Sequence, residues 1–159
     1  MFTETAHRIG QHLKDSNATV SVAESSTGGL ISANLLSVPG ASSYFMGGSV
    51  VYTRESRRAF LELETARLQG LEPMTPELVQ EFARAARETL GTVWGIAELG
   101  ATGPAGSPYG YGPGTSVIGI SGPVSRAIKT ETHSDDRQKN MLAFTEAALS
   151  LFEEVLTRS

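Results

Sequence analysis

Apolar positions recur at two periods along this chain, and the alternation between them sets out its elements. Ala6, Ile9 and Leu13 repeat at helical spacing between Thr3 and Asp15, and the breakers of SNAT separate that helix from a predicted strand at Thr19 to Ala23. Leu30, Ile31, Asn34, Leu35 and Val38 return to helical spacing, from a start at about Thr27 to the turn PGAS, where Pro39 and Gly40 end it. MGGSVVYT reads as a second strand. RESRRAFLEL reads as a short charged helix with Ala59, Phe60 and Leu63 facing inward.

The clearest helix is TPELVQEFARAARETLG. Thr75 stands at the N-cap, Pro76 at the first helical position and Gly91 at the stop, with Leu78, Val79, Phe82, Ala86 and Leu90 as its apolar positions. TVWGIAEL resumes strand character. Gly100 to Gly114 is then too rich in glycine and proline for regular structure, and a loop of that length is either functional or disordered. TSVIGIS and RAIKTETHS predict two antiparallel strands around the turn GPVS. DDRQKNMLAFTEAALSLFEEVLTR closes the chain as an amphipathic helix with Leu142, Thr145, Leu149, Phe152 and Leu156 on one stripe. Strands interleaved with helices predict an α/β sandwich around a mixed β-sheet, and 159 residues suit a single domain spanning residues 1–159.

Composition narrows the function classes. A net charge of −4 gives no electrostatic reason to expect nucleic acid as a partner. The absence of cysteine removes disulfides, thiolate zinc sites and thiol nucleophiles, and His7, His12 and His133 lack ligand spacing, so only a carboxylate-held metal stays open and none is assigned. Neither a signal-peptide core nor an apolar run of roughly 20 residues is present, so a cytoplasmic protein without a membrane partner is expected.

Four segments are candidates for chemistry. In ESSTGG, Ser25 reads as a nucleophile or phosphate-binding hydroxyl, Ser26 and Thr27 as caps or ligand donors, and Glu24 as an anchor for a ribose or amide. Gly28 and Gly29 would let a ligand approach, and a helix beginning there would aim free N–H groups at an anion or oxyanion. The plainer reading is a hydroxyl N-cap beside two permissive glycines. In VVYTRESRR, Tyr52 at a strand end and Arg54, Arg57 and Arg58 at a helix start read either as a ligand site or as a packed aromatic beside a solvated face. The long loop and SDDRQ complete the set: Asp135 and Asp136 suit a helix N-terminus, and Arg137 suits an anion.

Taken in order, these segments resemble the CinA C-terminal domain family over nearly the whole chain. The family pattern Glu-Ser-Cys-Thr-Gly-Gly corresponds to Glu24–Gly29, its Pro-Gly-Ala-Ser turn to Pro39–Ser42 and its Gly-Gly-Val-Val-x-Tyr strand to GGSVVY. Its Thr-Gly-Ile-Ala-Gly-Pro loop corresponds to LGATGP, with Gly100 and Gly103 retained, its Gly-Thr strand entry to Gly114 and Thr115, and its Gly-Asp-Arg element to DDR, with Arg137 retained.

The resemblance implies an α/β domain that forms a homodimer. It also implies hydrolysis of the carboxamide of nicotinamide mononucleotide to nicotinic acid mononucleotide and ammonia, without a cofactor. Ser25 takes the place of the serine nucleophile. The alternative is an inactive nucleotide-binding or interaction module. The family's proton-accepting lysine falls five residues after the strand-end tyrosine, and in this chain Arg57 stands five residues after Tyr52. A guanidinium stays protonated in proteins, so Arg57 cannot accept the serine proton. Lys129, or Tyr52 influenced by Arg57, would have to replace it. Leu99 stands for a family Thr or Ser and Thr102 for a family Ala, so one hydroxyl is lost from the expected pocket wall.

Overall fold

A computed structural model describes residues 1–159. In chain order the elements are helix α1 (Thr3–Asp15), strand β1 (Val20–Glu24), helix α2 (Leu30–Leu36), strand β2 (Phe45–Val50), helix α3 (Arg54–Leu61) and helix α4 (Pro76–Leu90). Strands β3 (Trp94–Ala101), β4 (Thr115–Ser121) and β5 (Arg126–Glu131) follow, and helix α5 (Arg137–Arg158) ends the chain. Short 3₁₀ turns lie at Ala41–Ser43 and Thr65–Leu68. The strands form one five-stranded sheet in the order β2-β1-β3-β4-β5. Strand β1 pairs in parallel with both β2 and β3, whereas β3–β4 and β4–β5 are antiparallel. This is a single α/β domain built on a mixed sheet.

Helices cover both faces. On one face α1, α2 and α5 pack over Val20, Val22, Ile96, Ile118 and Ile120, with Phe152 and Tyr44 fully buried among them. On the other face α4 lays Val79, Phe82 and Ala86 against Ala23, Ala97, Leu99 and Val117. Successive strand residues therefore alternate between two cores, and this explains why β1, β3 and β4 are buried nearly throughout. Strand β1 hands over to α2 at its carboxyl end and β3 runs there into the long loop towards β4; a cavity lined by Ser25, Leu99 and Gly100 lies at these carboxyl ends.

Several boundaries differ from those the sequence predicts. Glu24 belongs to β1, and α2 begins at Leu30 rather than at about Thr27. Gly28 and Gly29 have φ of +62° and +105°, a left-handed passage incompatible with the first turn of a helix. Strand β2 stops at Val50, so Tyr52 stands two residues beyond it, with more than half of its surface exposed. In α3 the residues Ala59 and Phe60 are exposed, and the inward positions are Leu61 and, past the helix end, Leu63. Leu90 and Leu142 are exposed as well, the first at the end of α4 and the second off the buried face of α5 that Asn140, Phe144 and Thr145 mark on either side of it. Gly100 and Ala101 extend β3 into the stretch expected to be loop.

Candidate active site

Ser25 is the first residue beyond β1. Its N–H donates to the Glu98 carbonyl at 3.1 Å, which carries the β1–β3 ladder one step further and fixes the backbone at the mouth of the cavity. Three hydroxyls follow one another here, and the structure separates them. Ser26 Oγ donates to both carboxyl oxygens of Glu98, at 2.7 and 3.1 Å, and Thr27 Oγ1 donates to Glu24 at 2.7 Å. The Ser25 hydroxyl has no hydrogen-bond partner within the chain, and Ser25 lines a cavity of about 710 Å³.

Glu24 lies opposite Glu98 in the parallel ladder, and both side chains are fully buried. The carboxylate of Glu24 accepts from Thr27 Oγ1, from the N–H groups of Ile31 and Ser32 and from Ser32 Oγ. It therefore occupies the N-terminus of α2, the place where the sequence suggests an external anion. The expected ribose or amide anchor faces into the protein instead. Glu98, absent from the sequence-stated candidates, accepts from Ser26 Oγ and from the Thr27 N–H at 2.9 Å. Burial pushes its carboxyl up to about 7; the bonds from Ser26 and Thr27 pull it down, and neighbouring Glu24 adds to the rise. Its signal in the sequence is a lone acid in the otherwise apolar strand WGIAELGA.

The cavity wall opposite Ser25 comes from α3 and the long loop. Arg54, Arg57 and Arg58 line it, together with Tyr52 and, from the loop, Ser107 and Tyr109. Glu55 is the one carboxylate there, so the wall carries an excess of positive charge. Arg57 is partly buried, with its guanidinium carbon 5.1 Å from the centre of the Phe82 ring and its Nε buried without a partner. Burial lowers its basicity, Tyr109 opposes that effect and Arg54 adds to it. The α3 start is set by Thr53, whose hydroxyl accepts from the Ser56 N–H while Ser56 Oγ accepts from the Thr53 N–H. Leu99 forms part of the apolar floor where the family pattern has a hydroxyl.

The remaining site residues stand around the cavity in different ways. Gly100 borders it, and a Cβ there would lie 2.4 Å from Ser26 Oγ and 2.9 Å from the Phe144 ring, so the missing side chain lets β3 and the serine turn meet. Gly103, Gly114, Thr115 and Arg137 form a seam between the loop and α5, outside the cavity lining. Arg137 donates to the Gly103 carbonyl at 2.6 Å and to the Tyr52 hydroxyl at 3.4 Å, while the Gly114 N–H closes the loop on the Ala101 carbonyl at 2.7 Å. Thr115 is buried opposite Ala101 in the β3–β4 ladder. Gly28 and Gly29 supply the turn behind Ser25. None of the lysines lines the cavity: Lys14 reaches the Pro39 carbonyl, Lys129 sits 5.0 Å from the Tyr111 ring and 3.9 Å from Glu131, and Lys139 lies beside Asp136.

A strand-end serine over a cationic cavity, on a five-stranded mixed sheet with helices on both faces, defines an α/β domain of the CinA type. The chain belongs to the CinA C-terminal domain family, whose model matches residues 2–156. It is 35% identical over 155 residues to a CinA-like protein of Chloroherpeton thalassium, a match covering 95% of this chain and 37% of that protein. A CinA-like protein of Salinibacter ruber is 31% identical over 141 residues, with 89% and 34% covered. The chain thus spans about a third of the length of these curated relatives. Among solved structures, a CinA superfamily protein from Klebsiella pneumoniae 700603 superposes with a TM-score of 0.89 at 22% identity, over 98% of each chain. The competence/damage inducible protein CihA from Agrobacterium tumefaciens gives 0.87 at 25% identity, over 97% of this chain and 94% of that one.

Proposed function

We propose that the cavity binds nicotinamide mononucleotide and hydrolyses its carboxamide slowly through Ser25. The observation that carries this reading is the separation of the three hydroxyls. Ser26 and Thr27 are committed to buried carboxyl groups, and Ser25 alone is left for a ligand. The ligand's charge fits as well, since a phosphate monoester matches the wall of Arg54, Arg57 and Arg58. Arg137, which the sequence suits to an anion, bonds Gly103 and Tyr52 and stands outside the cavity lining, so the phosphate falls to the α3 arginines.

In the reaction Ser25 Oγ adds to the amide carbon, the C–N bond breaks and ammonia leaves with the serine proton. Water then cleaves the acyl ester, releasing the acid and restoring the hydroxyl. The Ser26 N–H is the donor assigned to the developing oxyanion: bonds in the turn run from the Gly28 N–H to the Ser25 carbonyl and from the Leu30 N–H to the Thr27 carbonyl, and Ser26 N–H takes part in neither. The proton acceptor is the weak point. Arg57 occupies the place the resemblance gives to a lysine, and a guanidinium stabilises negative charge without taking a proton.

One observation favours a second reading, in which the domain binds the nucleotide without turnover: Ser25 has no basic partner, and no lysine lines the cavity. A single series of experiments separates the two. Ammonia release from nicotinamide mononucleotide should be slow in the wild type, lost in Ser25→Ala and raised by roughly 10²-fold in Arg57→Lys, the contribution of a positioned base. Calorimetric binding with no ammonia from either the wild type or Arg57→Lys supports the second reading. A lack of binding contradicts both.

A further inference from the structure

Glu98 has no part in the chemistry above, yet it is the most unusual group near Ser25. It is a carboxyl with no exposure to solvent, set in register beside a second buried carboxyl. The groups packed around it offer no counter-ion. On β1 the neighbour is Glu24, itself acidic; the ladder partner on β4 is Ile118; at this level α5 presents Phe144; and the serine turn presents only the Ser26 hydroxyl and the Thr27 N–H. Glu24 is the only charged group that bears on it. Such a group persists ionised only through the bonds it accepts.

Those bonds come from the two residues directly after Ser25. We propose that Glu98 is a positioning residue for Ser25: the ionised carboxyl holds the Ser26–Thr27 turn through both its oxygens, and protonation releases part of that hold and shifts the turn. This rests on the reading of the Ser25 cavity as the reactive site. An ionised carboxylate is purely an acceptor and satisfies Ser26 Oγ–H and Thr27 N–H together. The protonated form carries an O–H on one oxygen, which must itself donate, so the Ser26 hydroxyl has to reverse or lose its bond. Gly100 leaves little room for Ser26 to turn aside, because the β3 backbone passes close to its hydroxyl. A change at Glu98 therefore passes along the chain to Ser25, whose N–H is bonded to the carbonyl of Glu98 itself.

The proposal predicts a ligand site whose geometry changes near neutral pH without any titrating group in contact with the ligand. Burial sets the midpoint, since it pushes Glu98 to about 7. Above that midpoint the turn is held and nicotinamide mononucleotide binds best; below it, affinity falls several-fold.

The test uses the full chain labelled with ¹⁵N and with ¹³C at the glutamate carboxyl carbons. In the wild type the Glu98 carboxyl resonance and the amides of Ser25, Ser26 and Thr27 should shift together, with one midpoint, across about two pH units either side of 7. In Glu98→Gln, where the neutral amide fixes a state like the protonated one, the amides of the turn should be flat, and the affinity for nicotinamide mononucleotide by calorimetry should stay at its low-pH value. Turn amides that are flat in the wild type while Glu98 titrates, or that titrate unchanged in Glu98→Gln, overturn the proposal. If the variant does not fold, the wild type suffices, because separate midpoints for Glu98 and the turn are equally fatal. A turn that titrates with Glu98 while nicotinamide mononucleotide fails to bind at any pH upholds the positioning role and sinks the functional reading. Binding whose pH response is the same in the wild type and the variant does the reverse.

Discussion

Ser25, Ser26 and Thr27 are chemically alike, and their different fates follow from which buried carboxyl each can reach. Glu24 and Glu98 are adjacent in the sheet, and each takes one of these three hydroxyls, Thr27 going to Glu24 and Ser26 to Glu98. The more heavily bonded of the two is Glu24, which accepts two backbone and two side-chain donors. Replacing it with Gln keeps the shape but turns one acceptor into a donor facing N–H groups. Glu24→Gln should therefore lose about 2–4 kcal/mol in denaturant unfolding, the cost of a buried, charge-assisted network left partly unsatisfied. A loss below about 0.5 kcal/mol would contradict that assignment. The sequence displayed Ser25 as a candidate but not the distinction among the hydroxyls, because that distinction depends on Glu98, which lies 72 positions from Ser26. The glutamate at 24 reads as a ligand anchor in sequence for the same reason: its true partners, Ile31 and Ser32, become visible only once the glycine turn brings α2 back over the strand.

At the scale of elements, local signals were legible wherever capping residues mark the ends. Helix α4 begins after Thr75 and ends before Gly91, as its Thr-Pro start and glycine stop dictate; Thr75 Oγ1 accepts from the Leu78 N–H and Gly91 adopts φ +64°. Helix α3 was less legible. Eight residues supply little more than two turns, and four of them, Arg54, Glu55, Arg57 and Arg58, are charged, so the facing of Phe60 could not be settled by periodicity. The loop between β3 and β4 carries no periodic signal at all. Ser107 nonetheless orders it by accepting from the Tyr109 and Tyr111 N–H groups, and this brings Tyr109 to the cavity. The junction of β3 with the serine turn gives a prediction at this scale. In Gly100→Ala the added methyl meets Ser26 Oγ and the Phe144 ring, so the variant should be destabilised by about 1–3 kcal/mol and should weaken nucleotide binding by displacing Ser25. Thermal unfolding and calorimetry on the same sample would reveal a tolerated methyl as unchanged values in both.

For the whole molecule, the buried carboxyl makes stability depend on pH. Glu98 binds its proton more tightly folded than unfolded, since it rises from 4.5 to about 7. Between those values the native state holds the extra proton, so raising the pH costs stability; below about 4.5 the full contribution is present, and above about 7 no more is lost. The wild type should therefore lose up to about 3 kcal/mol from this group between pH 4.5 and 7, and Glu98→Gln should lack that slope. Urea midpoints measured across this range would contradict the account if the two proteins ran parallel. The fold itself was legible at this scale, since alternating strand and helix patterns and buried apolar strands leave few arrangements other than a covered mixed sheet. No helix is long and apolar enough to cross a membrane.

The central claim joins these scales: Ser25 is the reacting group, the α3 arginines hold the nucleotide's phosphate, and Arg57 limits the rate because it cannot accept a proton. Ammonia release from nicotinamide mononucleotide by Arg57→Lys, with and without Ser25→Ala, tests it most directly. The account predicts release faster than the wild type by roughly 10²-fold in Arg57→Lys and none once Ser25 is removed. Ammonia release that persists without Ser25, or an Arg57→Lys protein no faster than the wild type, would contradict it.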